Sequence, residues 1–225
     1  MILAGKILVD GQKISKAGTA VETSADIRLL GEDLKYVSRG GLKLEKAIER
    51  WKIGVSGKTC LDVGTSTGGF TDCLLQHGAA KVIAVDTGHG QIDYRLRQDR
   101  RVRLLEKTNA RYLTQEELGE TADFIAVDVS FISATLVLPA VIAAAFPVAD
   151  REGRAIVVLV KPQFEAGREH VGKGGIVRDE AAQAAAVEKV RVALISQGCA
   201  QTDAIESPIL GAEGNREFLL YGQFA

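Results

Sequence analysis

Short apolar runs alternate with longer amphipathic stretches along most of the chain. Apolar residues recur at helical spacing over 41–51, which predicts a helix there. We predict strands at 59–63, 81–85, 102–105, 123–127 and 155–160, and helical stretches near 69–77, 91–97, 114–118, 132–146 and 179–197. Strands that alternate with helices in this way are typical of an α/β fold with a mostly parallel, doubly wound sheet.

The C-terminal end departs from this alternation. Residues 203–209 and 217–224 have the pattern of strands, and no helical stretch separates them. Parallel neighbours need a long crossover, whereas antiparallel neighbours do not. The pattern therefore predicts an antiparallel hairpin that closes one edge of the sheet.

The N-terminal end is also distinct. Residues 6–14 predict a short hairpin with a glycine turn, and 25–30 predict another strand. A segment of this size cannot bury a core of its own. We expect three parts: a small segment at 1–30, a polar linker at 31–37 and a main domain at 38–225.

The composition is that of an ordinary soluble globular protein, with 225 residues, 46% of them hydrophobic and 25% charged. The longest apolar stretch, 136–149, contains two prolines and is too short to span a bilayer. The N-terminus shows no signal-peptide pattern, so we expect a cytoplasmic protein without stable membrane insertion. Cys60, Cys73 and Cys199 lack metal-ligand spacing, and we expect buried thiols and no metal site.

The formal net charge is −1, but basic residues are unevenly distributed. Residues 1–60 contain eleven Lys or Arg against seven Asp or Glu, and 95–111 contain six Arg and one Lys. Local basic surfaces matter more for phosphate binding than the total charge. The distribution is compatible with a nucleic-acid partner, although a solvated charged surface would have the same pattern.

A glycine-rich turn, 64–69, follows the predicted strand at 59–63 and opens a helix. A strand, a glycine turn and a helix N-terminus form a ligand site in many α/β sheets, and we expect the glycines to let backbone approach the ligand. Phe70 stands where a phosphate-binding P-loop requires Lys, and Ser66 replaces the middle glycine of the dinucleotide pattern. Both of those nucleotide-binding classes are therefore disfavoured.

A serine hydrolase is a further interpretation of the same turn. Gly64-x-Ser66-x-Gly68 has the spacing of a nucleophile elbow, and Asp128 and His170 follow in the matching chain order. No His-Gly-Gly segment that could form an oxyanion hole precedes Ser66. The hydrolase remains the alternative from another reaction class.

Two carboxylates favour a nucleoside cofactor without a pyrophosphate. The strand at 81–85 is followed by Asp86, 22 positions after Gly64, where an acid can bind ribose hydroxyls in this topology. Asp62 precedes the glycines and could meet the amino group of the cofactor. Asp62, the turn and Asp86 together fit S-adenosylmethionine.

Other polar residues follow predicted strands or precede the last one. Asp128 and Lys161 each come directly after an apolar strand, and Glu217 stands just ahead of the final apolar run. An α/β sheet places its chemistry at the carboxyl ends of its strands. Lys161 in particular is a candidate for the group that acts on a substrate hydroxyl.

The sequence resembles the TlyA family, which comprises FtsJ-like ribosomal RNA methyltransferases that are often also labelled hemolysins. The resemblance covers essentially the whole chain. It rests on ordered motifs at 38–47, 62–71, 85–91, 128–131, 161–165, 174–179 and 214–218.

The resemblance implies a Rossmann-like methyltransferase that transfers a methyl group from S-adenosylmethionine to a ribose 2′-hydroxyl of cytidines in ribosomal RNA. It implies a catalytic tetrad of Lys43, Asp128, Lys161 and Glu217. By motif match and the arguments above, the candidate cofactor residues are Asp62, Gly64, Ser66, Thr67, Gly68, Gly69, Phe70, Asp86, Asn109 and Asp128.

Members of this family begin with an S4-type RNA-binding domain, and residues 1–30 resemble only its second half. The resemblance implies a partial S4-like segment, with Lys6, Lys13, Lys16 and Arg39 as candidate RNA contacts. Ribosomal RNA or ribosomal subunits are the expected partner. The hemolysin label leaves a membrane-active protein as another alternative.

The role of Lys161 is open at the level of sequence. A neutral lysine would take the hydroxyl proton, whereas a charged lysine would stabilise the developing alkoxide. Lys43 nearby would favour the neutral form, and Asp128 and Glu217 would favour the charged form.

Overall fold

The computed structural model describes residues 7–14, 16, 18–29 and 35–225. The chain divides into two compact units, Met1–Lys35 and Tyr36–Ala225. Tyr36 is buried in the core of the second unit. Of the expected linker at 31–37, residues 31–34 lie outside the described residues, and the division of the chain into an S4-like segment and a catalytic domain stays a prediction.

The first unit contains a three-stranded antiparallel sheet. Its strands are β1 (Ile7–Val9), β2 (Gln12–Ile14) and β3 (Ile27–Leu29), in the order β2-β1-β3. The turn between β1 and β2 uses Asp10 and Gly11, both with positive φ, of 49° and 80°. Two positive φ values in succession match the right-handed twist of a two-residue hairpin.

The second unit is built on a seven-stranded mixed sheet. Its strands are β4 (Thr59–Val63), β5 (Lys81–Val85), β6 (Val102–Leu105), β7 (Phe124–Val127), β8 (Ala155–Val160), β9 (Cys199–Glu206) and β10 (Phe218–Phe224). Its α-helices are α1 (Gly40–Trp51), α2 (Gly69–Gln76), α3 (Tyr94–Gln98), α4 (Gln115–Leu118), α5 (Leu138–Ala145), α6 (Pro162–Glu165) and α7 (Glu180–Ser196).

The strand order β6-β5-β4-β7-β8-β10-β9 confirms the predicted doubly wound architecture. The first five of these strands are parallel, and β10 pairs antiparallel with both β8 and β9. The chain moves outward from β4 in one direction through β5 and β6, and in the other through β7 and β8. The switch point between β4 and β7 is where an open α/β sheet forms its ligand crevice.

Helices cover both faces of the sheet, and each face has its own apolar core. On one face, alternate strand residues such as Leu61 and Ile125 pack under α5 and α7. On the other face, residues such as Cys60 and Phe124 pack under α1 and α2. Strands buried on both faces must be apolar throughout, which explains why these runs were predictable from the sequence.

Two of the predicted elements differ from the structure in bounds that a proline explains. The stretch at 132–146 is a 3₁₀ turn, Ala134–Leu136, followed by α5, which begins near Pro139. Proline has no N–H to donate and is tolerated only in the first turn of a helix, so the helix starts again there. The strand predicted at 203–209 runs instead over Cys199–Glu206 and ends before Pro208, which cannot donate to a strand ladder.

Candidate active site

The glycine turn lies at the switch point of the sheet, against the loop that follows β7. The N–H of Gly64 donates to the carbonyl of Val85 at 2.8 Å, and the N–H of Asp128 donates to the carbonyl of Val63 at 2.8 Å. Gly64 has φ +88°, and a Cβ there would collide with the carbonyl oxygen of Asp128. The turn therefore fits tightly against Asp128, the first residue of the loop that follows β7.

The other two glycines of the turn also face protein atoms. A Cβ on Gly68, at φ +97°, would collide with Leu96, and a Cβ on Gly69 would collide with the hydroxyl of Ser38. The expectation that these glycines leave room for a ligand is therefore incomplete, because at all three positions the missing side chain makes room for neighbouring segments of the fold. The turn is a packing junction of the start of α1, α3 and the loop that follows β7.

Asp86 fixes the turn to the end of β5. Its Oδ2 accepts the N–H of Ser66 at 2.7 Å, and its Oδ1 accepts the N–H of Gly88 at 2.6 Å. Ser66 has a positive φ of 49°, a conformation stabilised by this contact. The carboxylate is thus held in one orientation at the rim of the crevice.

A cavity of about 450 Å³ opens at the carboxyl ends of β4, β5 and β7. Its lining includes five of the predicted cofactor residues: Gly64, Ser66, Asp86, Asn109 and Asp128. The other five lie at the end of β4 or in the turn but do not line it: Asp62, Thr67, Gly68, Gly69 and Phe70. The structure thus gathers the strand-end residues around one cavity of a size usual for small-molecule sites.

Asp62 is fully buried at the end of β4. Its Oδ2 accepts the hydroxyl of Thr71 at 2.6 Å, and its Oδ1 has no hydrogen-bond partner among the described residues. Burial raises the pKa of Asp62 to about 7; the Thr71 hydrogen bond opposes the shift, and the nearby carboxylates of Asp128 and Asp86 add to it. A buried acid with a free oxygen is a site for a cationic or hydrogen-bonding group of a ligand.

The four residues of the predicted tetrad form two ion pairs. Nζ of Lys161 lies 2.5 Å from Oδ1 of Asp128 and donates to Oγ of Ser130 at 2.7 Å. Nζ of Lys43 donates to Oε2 of Glu217. Lys43, Lys161 and Glu217 are buried, and Asp128 is partly exposed at the cavity.

The sheet register brings the two pairs to the same edge. Phe218 of β10 pairs with Val160 of β8 in antiparallel register. Lys161 follows Val160 and Glu217 precedes Phe218, so these two residues lie side by side. Lys43 reaches this place from α1, which packs on β10. The geometry thus joins three strand ends and one helix in a compact polar cluster.

An aromatic pair stands beside this cluster and was missed by the sequence reasoning. Phe131 lines the cavity, is 92% exposed and has a positive φ of 64°. Its ring lies 5.3 Å from that of Phe164, in a tilted arrangement. A single phenylalanine in a loop carries no periodicity, so only its place in the lining of the cavity reveals it.

The candidate RNA contacts are less well defined. Lys6 lies outside the described residues, and Lys13 lies in β2. Lys16 and Arg39 are exposed.

The basic run at 95–111 is largely paired within the protein. Ion pairs join Arg95 to Asp93, Arg97 to Glu106 and Arg101 to Asp99. Arg103 donates to the carbonyls of Glu117 and Leu118. The sequence therefore overstated the free positive charge of this run.

The hydrolase arrangement is not assembled. Asp128 is paired with Lys161, and Nε2 of His170 lies 3.7 Å from Glu169 rather than beside Ser66. Nucleophile, base and acid must lie within hydrogen-bond reach of one another in a serine hydrolase. The interpretation of Ser66 as a nucleophile is therefore wrong.

Comparison with known proteins agrees with this geometry. The sequence pattern of the FtsJ-like methyltransferase family matches residues 36–224. A relative from Mycobacterium tuberculosis, named 16S/23S rRNA (cytidine-2′-O)-methyltransferase TlyA, is 45% identical over 98% of this chain and 81% of its own. Hemolysin A of Brachyspira hyodysenteriae is 42% identical over 98% of this chain and 90% of its own.

A solved structure from Streptococcus thermophilus that carries a hemolysin name superposes with a TM-score of 0.80. The two sequences are 41% identical, and the match covers 99% of this chain and 80% of the solved chain. Fold and site together define a methyltransferase with a Rossmann-like sheet. The chain belongs to the FtsJ-like methyltransferase family and, within it, to the TlyA proteins.

Proposed function

We propose that this protein transfers a methyl group from S-adenosylmethionine to the 2′-oxygen of a ribose, with cytidine in ribosomal RNA as the target. The observation that carries the proposal is the pair of ion pairs, Lys161–Asp128 and Lys43–Glu217, of which Asp128 lines the cavity. The family and the names of its members support the choice of donor and acceptor.

The residues of the cavity fit S-adenosylmethionine. The fixed carboxylate of Asp86 retains lone pairs for the ribose hydroxyls, and Asn109 lines the side of the cavity suited to adenine. Asp62 supplies a buried oxygen, Oδ1, that lacks a hydrogen-bond partner among the described residues and suits the amino group. When bound, the cofactor supplies a methyl group on a positively charged sulfur, already activated for transfer to oxygen.

The protein has to align the hydroxyl and manage one proton. Because the Nζ of Lys161 is held between Asp128 and Ser130, we assign it as the charged donor that hydrogen-bonds to the 2′-oxygen. The hydroxyl proton becomes strongly acidic as the oxygen acquires the methyl group, so a nearby carboxylate is a sufficient acceptor. Asp128 lines the cavity and takes that role.

Lys43 and Glu217 orient the cluster rather than exchange the proton. Both side chains are buried, with 11% and 2% exposed, and each is the partner of the other. A buried pair of opposite charges keeps the region close to neutral while fixing both side chains in space. Glu217, beside Lys161 in the sheet, balances the charge of two lysines together with Asp128.

Phe131 provides a surface for the target base. Aromatic side chains exposed at a nucleic-acid site stack on bases that have left their helical stack. Phe131 lines the cavity, and Phe164 supports its ring. A base stacked there would bring its ribose toward Lys161.

The N-terminal unit would add affinity for RNA rather than chemistry. Its small sheet carries Lys13 on β2, and the exposed Lys16 lies between β2 and β3 along the chain. Contacts between lysines and phosphates release counterions, so binding of this kind weakens as salt is raised. The unit is proposed as part of an S4-like RNA-binding segment.

The test has two arms, cofactor binding and product chemistry. Calorimetry measures S-adenosylmethionine binding to the purified protein, and labelled cofactor measures methyl transfer to ribosomal RNA. A 2′-O-methyl group blocks alkaline cleavage at the next phosphate, so the modified nucleotide is mapped by its resistance to base.

The control is an RNA with a 2′-deoxy nucleotide at the mapped position, which should accept no methyl group. Transfer to that control would place the methyl group on the base and overturn the proposal. Among the described residues no helix is long and apolar enough to cross a membrane. Liposome leakage without methyl transfer would favour the hemolysin interpretation instead.

A further inference from the structure

Two loops carry the chemistry of the site. One follows β7 and includes Asp128, Ser130 and Phe131; the other follows β8 and runs over 161–165. Lys161 binds the first loop through Asp128 and Ser130, and the rings of Phe131 and Phe164 lie 5.3 Å apart. The distance between Lys161 and the ring of Phe131 therefore depends on the contacts that join the two loops.

A third contact between the loops is made by Glu165, the last residue of α6. Its side chain is buried, Oε1 accepts the N–H of Ala134 at 2.6 Å, and Oε2 accepts the hydroxyl of Ser133 at 2.5 Å. Lys189 of α7 lies 3.4 Å from Oε2 and donates to the backbone carbonyl of Glu165 at 2.9 Å. Both carboxylate oxygens thus bind the opposite loop, and a lysine supplies the opposite charge.

We propose that Glu165 is a positioning residue that sets the separation of Lys161 and Phe164 from the loop after β7, an inference that rests on the methyl-transfer function proposed above. Helix α6 has four residues, a single turn that cannot hold its own conformation. Its first end is held by Lys161 and its last by Glu165. A displacement of about 1 Å at a reacting group can lower a rate about a hundredfold.

The variants Glu165→Ala and Glu165→Gln separate positioning from general stability. Glutamine keeps an oxygen for the N–H of Ala134, and its amide can donate to Ser133 after the hydroxyl turns. Alanine loses both contacts. Ser133→Ala removes only the contact between the Ser133 hydroxyl and Glu165, and it replaces Glu165→Ala in the test if that variant does not fold.

The matched control is Glu120→Ala. Glu120 forms an ion pair with Lys81 away from the two loops and is about one-third exposed. We expect Glu165→Ala to lower kcat at least tenfold, while its Kd for S-adenosylmethionine stays within twofold of the wild-type value. Ser133→Ala should lower kcat a few-fold. Both Glu165→Gln and Glu120→Ala should keep kcat within threefold of the wild type.

A second readout does not depend on activity. Hydrogen exchange over 128–134 in the folded protein should accelerate at least tenfold in Glu165→Ala, and remain near the wild-type rate in Glu165→Gln and Glu120→Ala. Normal kcat together with normal exchange in Glu165→Ala would overturn the inference. Wild-type protein that transfers no methyl group to ribose would instead overturn the proposed function, and the exchange measurement would still decide the role of Glu165.

Discussion

The buried carboxylate of Glu217 binds the ammonium of Lys43, although the two residues are 174 positions apart. Lys43 comes from the first helix of the second unit, and Glu217 directly precedes its last strand. The contact joins the two ends of this unit, close to the position where Lys161 follows β8. The integrity of the site is thus tied to the docking of α1 on the C-terminal hairpin.

Breaking this pair should be costly. Glu217→Gln leaves the Lys43 ammonium without its carboxylate in a buried place, which should lower the free energy of unfolding by about 3–5 kcal/mol. The double variant Lys43→Met with Glu217→Leu should recover most of that loss but no activity. Urea unfolding measures both, and Arg50→Met, which breaks the exposed pair with Asp203, should cost only about 0–1 kcal/mol.

Recovery of stability in the double variant would separate the structural from the catalytic role of the pair. If Glu217→Gln were as stable as the wild type, the carboxylate would not be needed to compensate Lys43. Activity in the double variant would exclude the pair from catalysis.

Lys161→Ala should abolish methyl transfer and leave the cofactor site intact. The variant removes the donor to the 2′-oxygen, and removal of such a group lowers rates by about 10²–10⁴-fold. Lys161 does not line the cavity, so the Kd for S-adenosylmethionine from calorimetry should stay within about twofold. Near-normal turnover of the variant would assign the chemistry to another residue.

The fold was largely predictable because its strands are buried on both faces. β4, β5, β6 and β8 have the bounds that the apolar runs predict, since each run ends where the strand meets the crevice. The hairpin at the C-terminal edge was predicted as a pair, but β9 begins four residues earlier than expected. An edge strand has one exposed side, and polar residues such as Gln201 belong to it as readily as to a loop.

The site was predictable only where a residue follows a strand. Asp86, Asp128 and Lys161 have that position; the first two line one cavity, and Lys161 is paired with Asp128. Phe131 belongs to a loop and Glu165 ends a single helical turn, and the course of both segments depends on contacts with distant parts of the chain. The segments that pack against the glycines of the turn could not be predicted for the same reason.

Asp62 should make both stability and cofactor binding depend on pH. Its pKa, raised to about 7 by burial, lies above its ordinary value of 3.8, so the folded state holds a proton that the unfolded state has lost between those values. Stability therefore falls as pH rises through that window. Asp62→Asn should remove this fall and, at pH 8, exceed the wild type by roughly 2–4 kcal/mol in the free energy of unfolding.

The difference between wild type and Asp62→Asn isolates this group, because all other titrations are shared. Urea unfolding at pH 5 and pH 8 gives the stability difference, and calorimetry over the same range gives the affinity. A cationic amino group favours the ionised acid, so wild-type affinity should weaken below pH 7. A constant stability difference between pH 5 and pH 8 would contradict the assignment.

Gly64→Ala should disturb the catalytic loop directly. The new Cβ would collide with the carbonyl of Asp128, and the residue would also have to keep φ near +88°. Gly153→Ala is the matched control, because Gly153 has φ +71° with nothing near its missing Cβ. Both variants should lose about 1–2 kcal/mol of stability from the backbone conformation.

Only Gly64→Ala should also lose activity, by at least tenfold, since Asp128 and its partner Lys161 must shift. Melting temperature and initial rates on ribosomal RNA distinguish the two effects. Equal activity in the two variants would mean that the turn tolerates a methyl group and that its fit to the loop is loose.

Phe131→Ala should impair the use of RNA much more than the fold or the binding of the cofactor. The side chain is 92% exposed, so its loss removes little packing, whereas stacking on a base contributes about 1–3 kcal/mol. We expect kcat/KM for ribosomal RNA to fall by roughly 5- to 150-fold.

Two further variants serve as controls. Phe131→Trp should retain most of the wild-type kcat/KM, because any flat aromatic ring can stack. Phe131→Leu has a similarly apolar side chain without a ring and should not retain it. The melting temperature should match the wild type in all three variants, and the Kd for S-adenosylmethionine should change much less than kcat/KM, although Phe131 lines the cavity. If Phe131→Leu were as active as Phe131→Trp, the residue would contribute apolar contact alone, and the target base would lie elsewhere at the cavity.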